Sequence, residues 1–238
     1  FNGFLDVTAS NGLGQNKKEA YFSARHGIGE FWVHKIDLEG NLEWRRYFGG
    51  TSNDRSYDAI QSKDDAYVVV GASESQDVDI RNPRGSYDVW VIKIDSSGNL
   101  LWERSIGGSE YDRGNAIIET NAGEYLVLGH TFSSDGDVLS NAGSSDILLA
   151  RLSPSGSFQG LKTLGDSGFD SAKALVERPD GTLVLIGQRS SSNISLGEQT
   201  INNDVSLYYT LPNGSLMQST NLSGPGLDQA NDLVLTKK

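Results

Sequence analysis

One spacing constrains this chain more than anything else in it: the same short pattern returns every 58 residues. DVWVIKID opens at Asp88, EFWVHKID opens 58 residues earlier at Glu30, DILLARLS opens 58 later at Asp146, and DVSLYYTL follows at Asp204. Asp54, Asp112, Asp170 and Asp228 keep the same step. So do Gly40, Gly98, Gly156 and Gly214, and again Gly71, Gly129 and Gly187. A fixed period of this length marks a supersecondary unit that cannot bury its faces alone and stacks on copies of itself.

Each unit divides into four strand-like runs, A to D. In the second repeat, A surrounds Ala59-Ile60, B is YVVVGAS from Tyr67, C is DVWVIKID from Asp88 and D is NLLWERSIG from Asn99. B and C are apolar on both faces and read as buried. D alternates, with Leu100, Trp102 and Ile106 opposed to Glu103 and Ser105, which suits an edge. Between C and D, the sequences DLEGN, DSSGN, SPSGS and LPNGS each place a glycine where a type I turn needs a left-handed residue. The A–B turns are also short, whereas the B–C connection is long, about 14 residues from Glu74 to Tyr87. No helical period is sustained.

Four-stranded antiparallel units at a fixed period predict an all-β chain folded as a β-propeller, residues 1–238 forming one domain. The last repeat stops after its A strand, around Asp232-Leu233-Val234. Residues 4–10, FLDVTAS, lie over the B strand from Tyr67. The reading is therefore four blades, with residues 1–29 completing the blade opened by 228–238. The alternative is a piece of a larger propeller.

The run D-x-W-V-x-K-I-D-x-x-G-N-L-x-W, followed by G-G-S-x-x-D, Y-L-V-L-G and a D-G-D loop, resembles the SBBP-type β-propeller repeats of exported and surface proteins in Bacteroidota. The resemblance weakens along the chain, where Trp90 gives way to Leu148, Trp102 to Gly160 and Gly108 to Asp166. It implies a propeller at the cell surface or outside the cell, associated with the outer membrane. It implies no particular activity, because propellers host many.

A net charge of −11 argues against nucleic acid and anionic membrane surfaces as partners. There is no cysteine, which excludes disulfides, thiolate metal sites and cysteine nucleophiles. No apolar run approaches the roughly 18 residues of a membrane span.

Candidate residues follow from the repeat. Asp54, Asp112, Asp170 and Asp228 read as scaffold, carboxylates accepting amides of their own turns. Their alternative is a ring that holds a cation. Gly40, Gly98, Gly156 and Gly214 are structural repeat positions as well. Asp77 and Asp79 match Asp135 and Asp137 one period later, and SSDGD resembles part of a calcium loop. The downstream glutamate of such a loop is missing, and Asn193 and Ser195 stand in the next repeat. An Asx-turn is the first reading and Ca2+ the alternative. Trp32, Trp44, Trp90 and Trp102 read as packing between blades. Lys35, Lys93 and Arg151 read as long stems that pair with carboxylates.

His26, His34 and His130 match no metal or nucleophile motif. His130 stands near Ser133 and Asp135 in sequence, which makes no triad without geometry. The expected function is a non-enzymatic protein-binding or scaffolding module at the cell envelope, within a larger outer-membrane assembly. It would act through the long-loop face or the rim. Lys17, Lys18, Tyr21 and Phe22, in the least repeat-like stretch, are the candidate partner contact. A glycan-binding module using Tyr21, Phe22, Tyr87, Tyr111 and Phe132 is the alternative. A hydrolase or lyase with an acidic channel site is a third.

Overall fold

The local turns form as their glycines require. Asp37 donates its amide to Asn41 O (2.9 Å) and Gly40 donates to Asp37 O (3.1 Å), with Gly40 at φ +88°. The same bonds recur at Asp95 and Gly98, Ser153 and Gly156, and Leu211 and Gly214. A side chain at such a φ would be strained, so the 58-residue step in glycine is a step in backbone geometry.

In the computed structural model the described residues are 29–195, 198–222, 224 and 227–236, and they are all-β, with no helix. No helix among them is therefore long and apolar enough to cross a membrane. The first sheet pairs β1 (Phe31–Ile36) with β2 (Leu42–Phe48). The second holds β3 (Asp54–Gln61), β4 (Tyr67–Ser73), β5 (Asp88–Ile94) and β6 (Leu100–Ile106). The third holds β7 (Asp112–Glu119), β8 (Tyr125–Thr131), β9 (Asp146–Leu152) and β10 (Phe158–Leu164). The fourth holds β11 (Phe169–Glu177), β12 (Leu183–Ser195), β13 (Glu198–Thr210) and β14 (Leu216–Leu222). Strands pair antiparallel in chain order, so each four-stranded sheet is a meander with its A strand on one edge.

Neighbouring sheets share cores. Phe31, Val33 and Phe48 of the first sheet pack with Tyr67, Val69, Trp90 and Ile92 of the second. The other face of the second sheet, with Val68, Val70, Val89 and Val91, packs on Ile117, Tyr125, Val127 and Leu148 of the third. The third in turn sets Leu126, Leu128, Ile147 and Leu149 against Leu175, Leu183, Leu185 and Tyr208 of the fourth. Inner strands buried on both faces follow from this: β4, β5 and β8 are buried along their whole length. The arrangement is propeller-like. Parallel bridges link successive sheets at Gly29 and Asn53 and at Ser145 and Phe169, and a third joins Asn203 to Leu227 beyond the fourth sheet.

Three tryptophans sit in these interfaces. Trp90 is fully buried, 4.6 Å from Phe31 between ring centroids, and its indole N–H donates to Glu103 Oε2 (3.0 Å). Trp44 stands 6.1 Å from Tyr67 and donates to Ser96 O (2.9 Å), both in the next sheet. Trp102 stands 5.9 Å from Tyr125. Trp32 packs within its own sheet, against Tyr47. The long cations at the end of strand C are ion-paired: Lys35 to Glu43 (2.7 Å), Lys93 to Asp64 (2.6 Å) and Arg151 to Glu124.

Two expectations differ from what forms. The B–C connection of the fourth sheet is no loop: β12 and β13 extend their pairing out to Ser195 and Glu198. Here Asn193 and Ser195 stand where the earlier repeats have the aspartates that tie the connection back, and the segment pairs with itself. The strand expected around Asp232-Leu233-Val234 is not formed, since residues 229–236 lie in no strand. The intended neighbour of that strand, residues 4–10, lies outside the described residues.

Val78 carries a local conflict. It sits at φ +58°, where Gly136 sits at φ +63° one repeat later. A β-branched residue in that region costs about 1–2 kcal/mol. Val78→Gly is expected to raise stability in urea melts by about 0.5–1 kcal/mol, part of the relief being offset by the glycine's unfolded freedom. Gly136→Val is expected to lower stability, because its added carbon would lie 2.6 Å from Gly107 O.

Candidate functional site

The aspartate ahead of each A strand holds a corner between sheets. The Asp112 amide donates to Tyr87 O of the preceding sheet (2.7 Å), and its Oδ2 accepts from Gly108 N (2.7 Å) and Ser133 Oγ (2.9 Å). Asp54 repeats this with Gly29 O (2.9 Å), Gly50 N (2.8 Å) and Ser75 Oγ (2.8 Å). Asp170 bonds Ser145 O and Asp166 N, and Asp228 bonds Asn203 O and Gly224 N.

Asp77 and Asp135 tie the B–C loop to the same corner. Asp77 accepts from Thr51 N (2.8 Å) and Thr51 Oγ1 (2.9 Å), and Asp135 accepts from Ser109 N (2.7 Å). Asp79 accepts from Gly49 N (3.2 Å), and Asp137 accepts from Gly107 N (3.4 Å) and pairs with Arg84. These carboxylates face amides of the neighbouring loop. Among the described residues no three His, Asp or Glu side chains gather as a metal site.

The D–A and B–C loops therefore meet on one face, and the aromatic side chains of that face meet there too. Tyr87 and Tyr111 lie 5.2 Å apart, and Tyr111 stacks on His130 at 6.0 Å. His130 and Phe132 both contact Phe169, at 6.1 and 5.6 Å. Phe132 and Phe169 remain 38% and 37% exposed. Burial, then the charges of Arg113 and Lys173, press His130 down to about 4, so it is neutral at physiological pH.

Beside this cluster the three A strands come together around a cavity of about 240 Å³. Tyr57, Asn115 and Lys173 line it, with Asp58 and Asp232. Each of the first three sits at a β-bulge, where the A strand slips by one residue against B. A bulge re-aims a side chain out of the pleat. Asn115 donates to Ala172 O across the sheets (2.7 Å), and the Arg113 guanidinium lies 3.6 Å from the Tyr57 ring centroid.

Of the aromatic residues that sequence singles out, Tyr87, Tyr111 and Phe132 come together. Lys17, Lys18, Tyr21 and Phe22 lie outside the described residues. His34 is buried in β1, its imidazole pushed down by burial and then by Arg45. Ser133, close to His130 in sequence, spends its hydroxyl on Asp112, so those two form no catalytic couple. The bulge residues and Phe169 are not evident from motifs. Residue type changes at 57, 115 and 173, and so it does at the positions on either side, so no repeat signal marks them.

No protein-family model matches this chain, and no curated protein matches it.

The corners also press acids together. Asp88 and Asp112 flank one point beside Gly107, and Asp146 and Asp170 flank the matching point beside Gly165. All four are at most 2% exposed, and the Oδ1 of each is buried without a hydrogen bond. Burial pushes Asp88 up to about 6, with Asp112 adding to the rise and the Arg84 amide opposing it. Burial and then Asp146 push Asp170 up to about 6. A carboxyl raised on folding contributes stability in its protonated form, lost as pH climbs through its folded value. These two carboxyls are thus expected to add stability in urea as pH falls from about 7 to about 5, against an opposing loss from His130, whose lowered imidazole resists protonation over the same range. Stability falls at still lower pH, where groups such as Asp64, held to about 2 chiefly by Lys93, take up protons. Asp88→Asn together with Asp170→Asn is expected to remove the carboxyls' gain, read from urea midpoints across the range.

Proposed function

We propose that this chain is a non-enzymatic binding module, a β-propeller that engages a protein partner at the bacterial cell envelope through its long-loop face. The observation that carries the reading is the cluster of Tyr87, Tyr111, His130, Phe132 and Phe169 on that face, beside a polar cavity. Aromatic side chains gathered at the centre of a surface, two of them over a third exposed, have the make-up of a binding hot spot. The loop residues Tyr87, Tyr111 and Phe132 and the strand-end residues His130 and Phe169 build it, next to the bulge positions, and the loops of a repeat ring are free to vary without disturbing the sheets.

Four blades closing as a ring is part of the same proposal. Its support is the fourth corner, where Asp228 makes the amide and carboxylate bonds of its predecessors, and Asp232, which reaches the shared cavity. The envelope location rests on the resemblance of the repeat to SBBP-type propellers. A glycan is the second reading, favoured by the exposure of Phe132 and Phe169, since sugars stack on open aromatic faces.

Tyr111→Ala combined with Phe132→Ala tests the face. Capture from native bacterial membranes, read by mass spectrometry, is expected to recover a protein partner with the parent chain and to lose it with the double variant, both being folded by circular dichroism. Equal recovery by both would move the contact elsewhere. Binding on a glycan array, abolished by the same pair, would replace the protein partner by a sugar.

A further inference from the structure

We propose that Arg55, Arg113 and Lys173 form a carboxylate-recognition site beside the aromatic cluster, which seats an acidic side chain of a protein partner. This names the chemistry of the partner and rests on the binding function proposed above.

The chain has 31 acidic residues and 20 basic ones, so most cations could find an acid nearby. Lys35, Arg84, Lys93, Arg151, Arg178 and Arg189 do. Arg55, Arg113 and Lys173 make no such ion pair among the described residues, nor do Arg45, Arg46, Lys63, Arg81, Arg104 and Lys162, but these three converge: Arg55 and Arg113 both act on Tyr111, and Arg113 and Lys173 both act on His130. Arg55 and Arg113 are one repeat apart, each next to the corner aspartate of an A strand. Arg113 lies opposite His130 across β7 and β8 and has one face covered by Tyr57. Its Nε is buried and has no acceptor among the described residues. Lys173 is aimed by its bulge into the cavity that Tyr57 and Asn115 share.

Among the described residues nothing local neutralises this charge fully. His130 is kept neutral in part by Arg113 and Lys173. Asp58 borders the cavity, but its two oxygens accept the amides of Ala59 (2.8 Å) and Ile117 (2.9 Å), and burial pushes its carboxyl up. Asp232 borders it from an exposed position. A guanidinium held flat against a ring has a fixed fork, which suits a carboxylate better than a point cation does. The open rings of Phe132 and Phe169 beside it suit an apolar neighbour of that carboxylate. An acidic segment carrying an apolar residue meets both demands.

The probe is a random peptide library displayed on phage and selected on the intact chain. Selected peptides are expected to carry Asp or Glu next to an apolar residue, and their affinity is expected to fall as salt rises. Arg55→Gln, at an exposed position, and Arg113→Gln are each expected to weaken binding about tenfold. Arg113→Lys, which keeps the charge and loses the fork, is expected to weaken it as well. Acidic peptides whose affinity ignores both glutamine variants would overturn the site. Uncharged or basic peptides that depend on Tyr111 and Phe132 would also overturn it while leaving the binding face intact. Failure to select any peptide, with neutral glycans bound instead, would overturn the site and the protein-partner reading together.

Discussion

The corner aspartate is the constraint on which the other features depend. Its amide reaches back to the residue ahead of strand C in the preceding sheet, and its carboxylate gathers the turn that leads into its own sheet. One residue thus sets the distance and angle between neighbouring sheets at three joints, and Asp228 repeats the bonds after the fourth sheet. A longer side chain would push the turn away, and an apolar one would leave buried amides without acceptors, a cost of about 1–3 kcal/mol at each group. The step of 58 in aspartate is the sequence trace of that geometry. In the second and third sheets a serine, Ser75 or Ser133, adds its hydroxyl to the same carboxylate and locks the B–C loop in place.

Holding the corner this way has an electrostatic consequence. The residue that opens strand C is acidic as well, at Asp88 and Asp146, and it comes to rest against the next corner aspartate with only a glycine beside the pair. Glycine tolerates the approach because it has no side chain to place there. Two buried acids in contact cannot both ionise cheaply, so the scaffold carries stored repulsion at neutral pH. The inner strands supply the opposing stabilisation through continuous apolar burial between sheets, as at Val70, Val91 and Val127.

What sequence makes legible is what recurs. The turn glycines announce the hairpins, the doubly apolar runs announce the inner strands, and the corner aspartates announce the joints. The bulges at Tyr57, Asn115 and Lys173 are illegible by the same logic: a bulge is one slipped hydrogen-bond register, and the residue that occupies it changes from repeat to repeat. The extended β12–β13 ribbon is hidden for a related reason. Loop and ribbon share length and polarity, and the choice between them depends on whether Asp77-like carboxylates are present to tie the connection to the corner. Tyr87, Tyr111 and Phe132 are legible as aromatic loop residues, whereas their meeting with His130 and Phe169 depends on how the sheets are placed side by side.

Scaffold and site therefore use opposite residues of the same strand. In β7, Asp112 and Gly114 face inward and serve the joint with the neighbouring sheet, while Arg113 and Asn115 alternate with them and face the centre. The strand's period of two separates the two roles, and the bulge at Asn115 shifts the alternation just below Arg113. Acids accumulate at the joints because the amides there need acceptors, and they are consumed by those amides. Arg113 and Lys173, both acting on His130, stand beside a cavity that Asp58 and Asp232 also border. A chain with a net charge of −11 can thereby hold cations apart from the acids of its frame, since charge that is hydrogen-bonded into the frame has little left to offer the cavity.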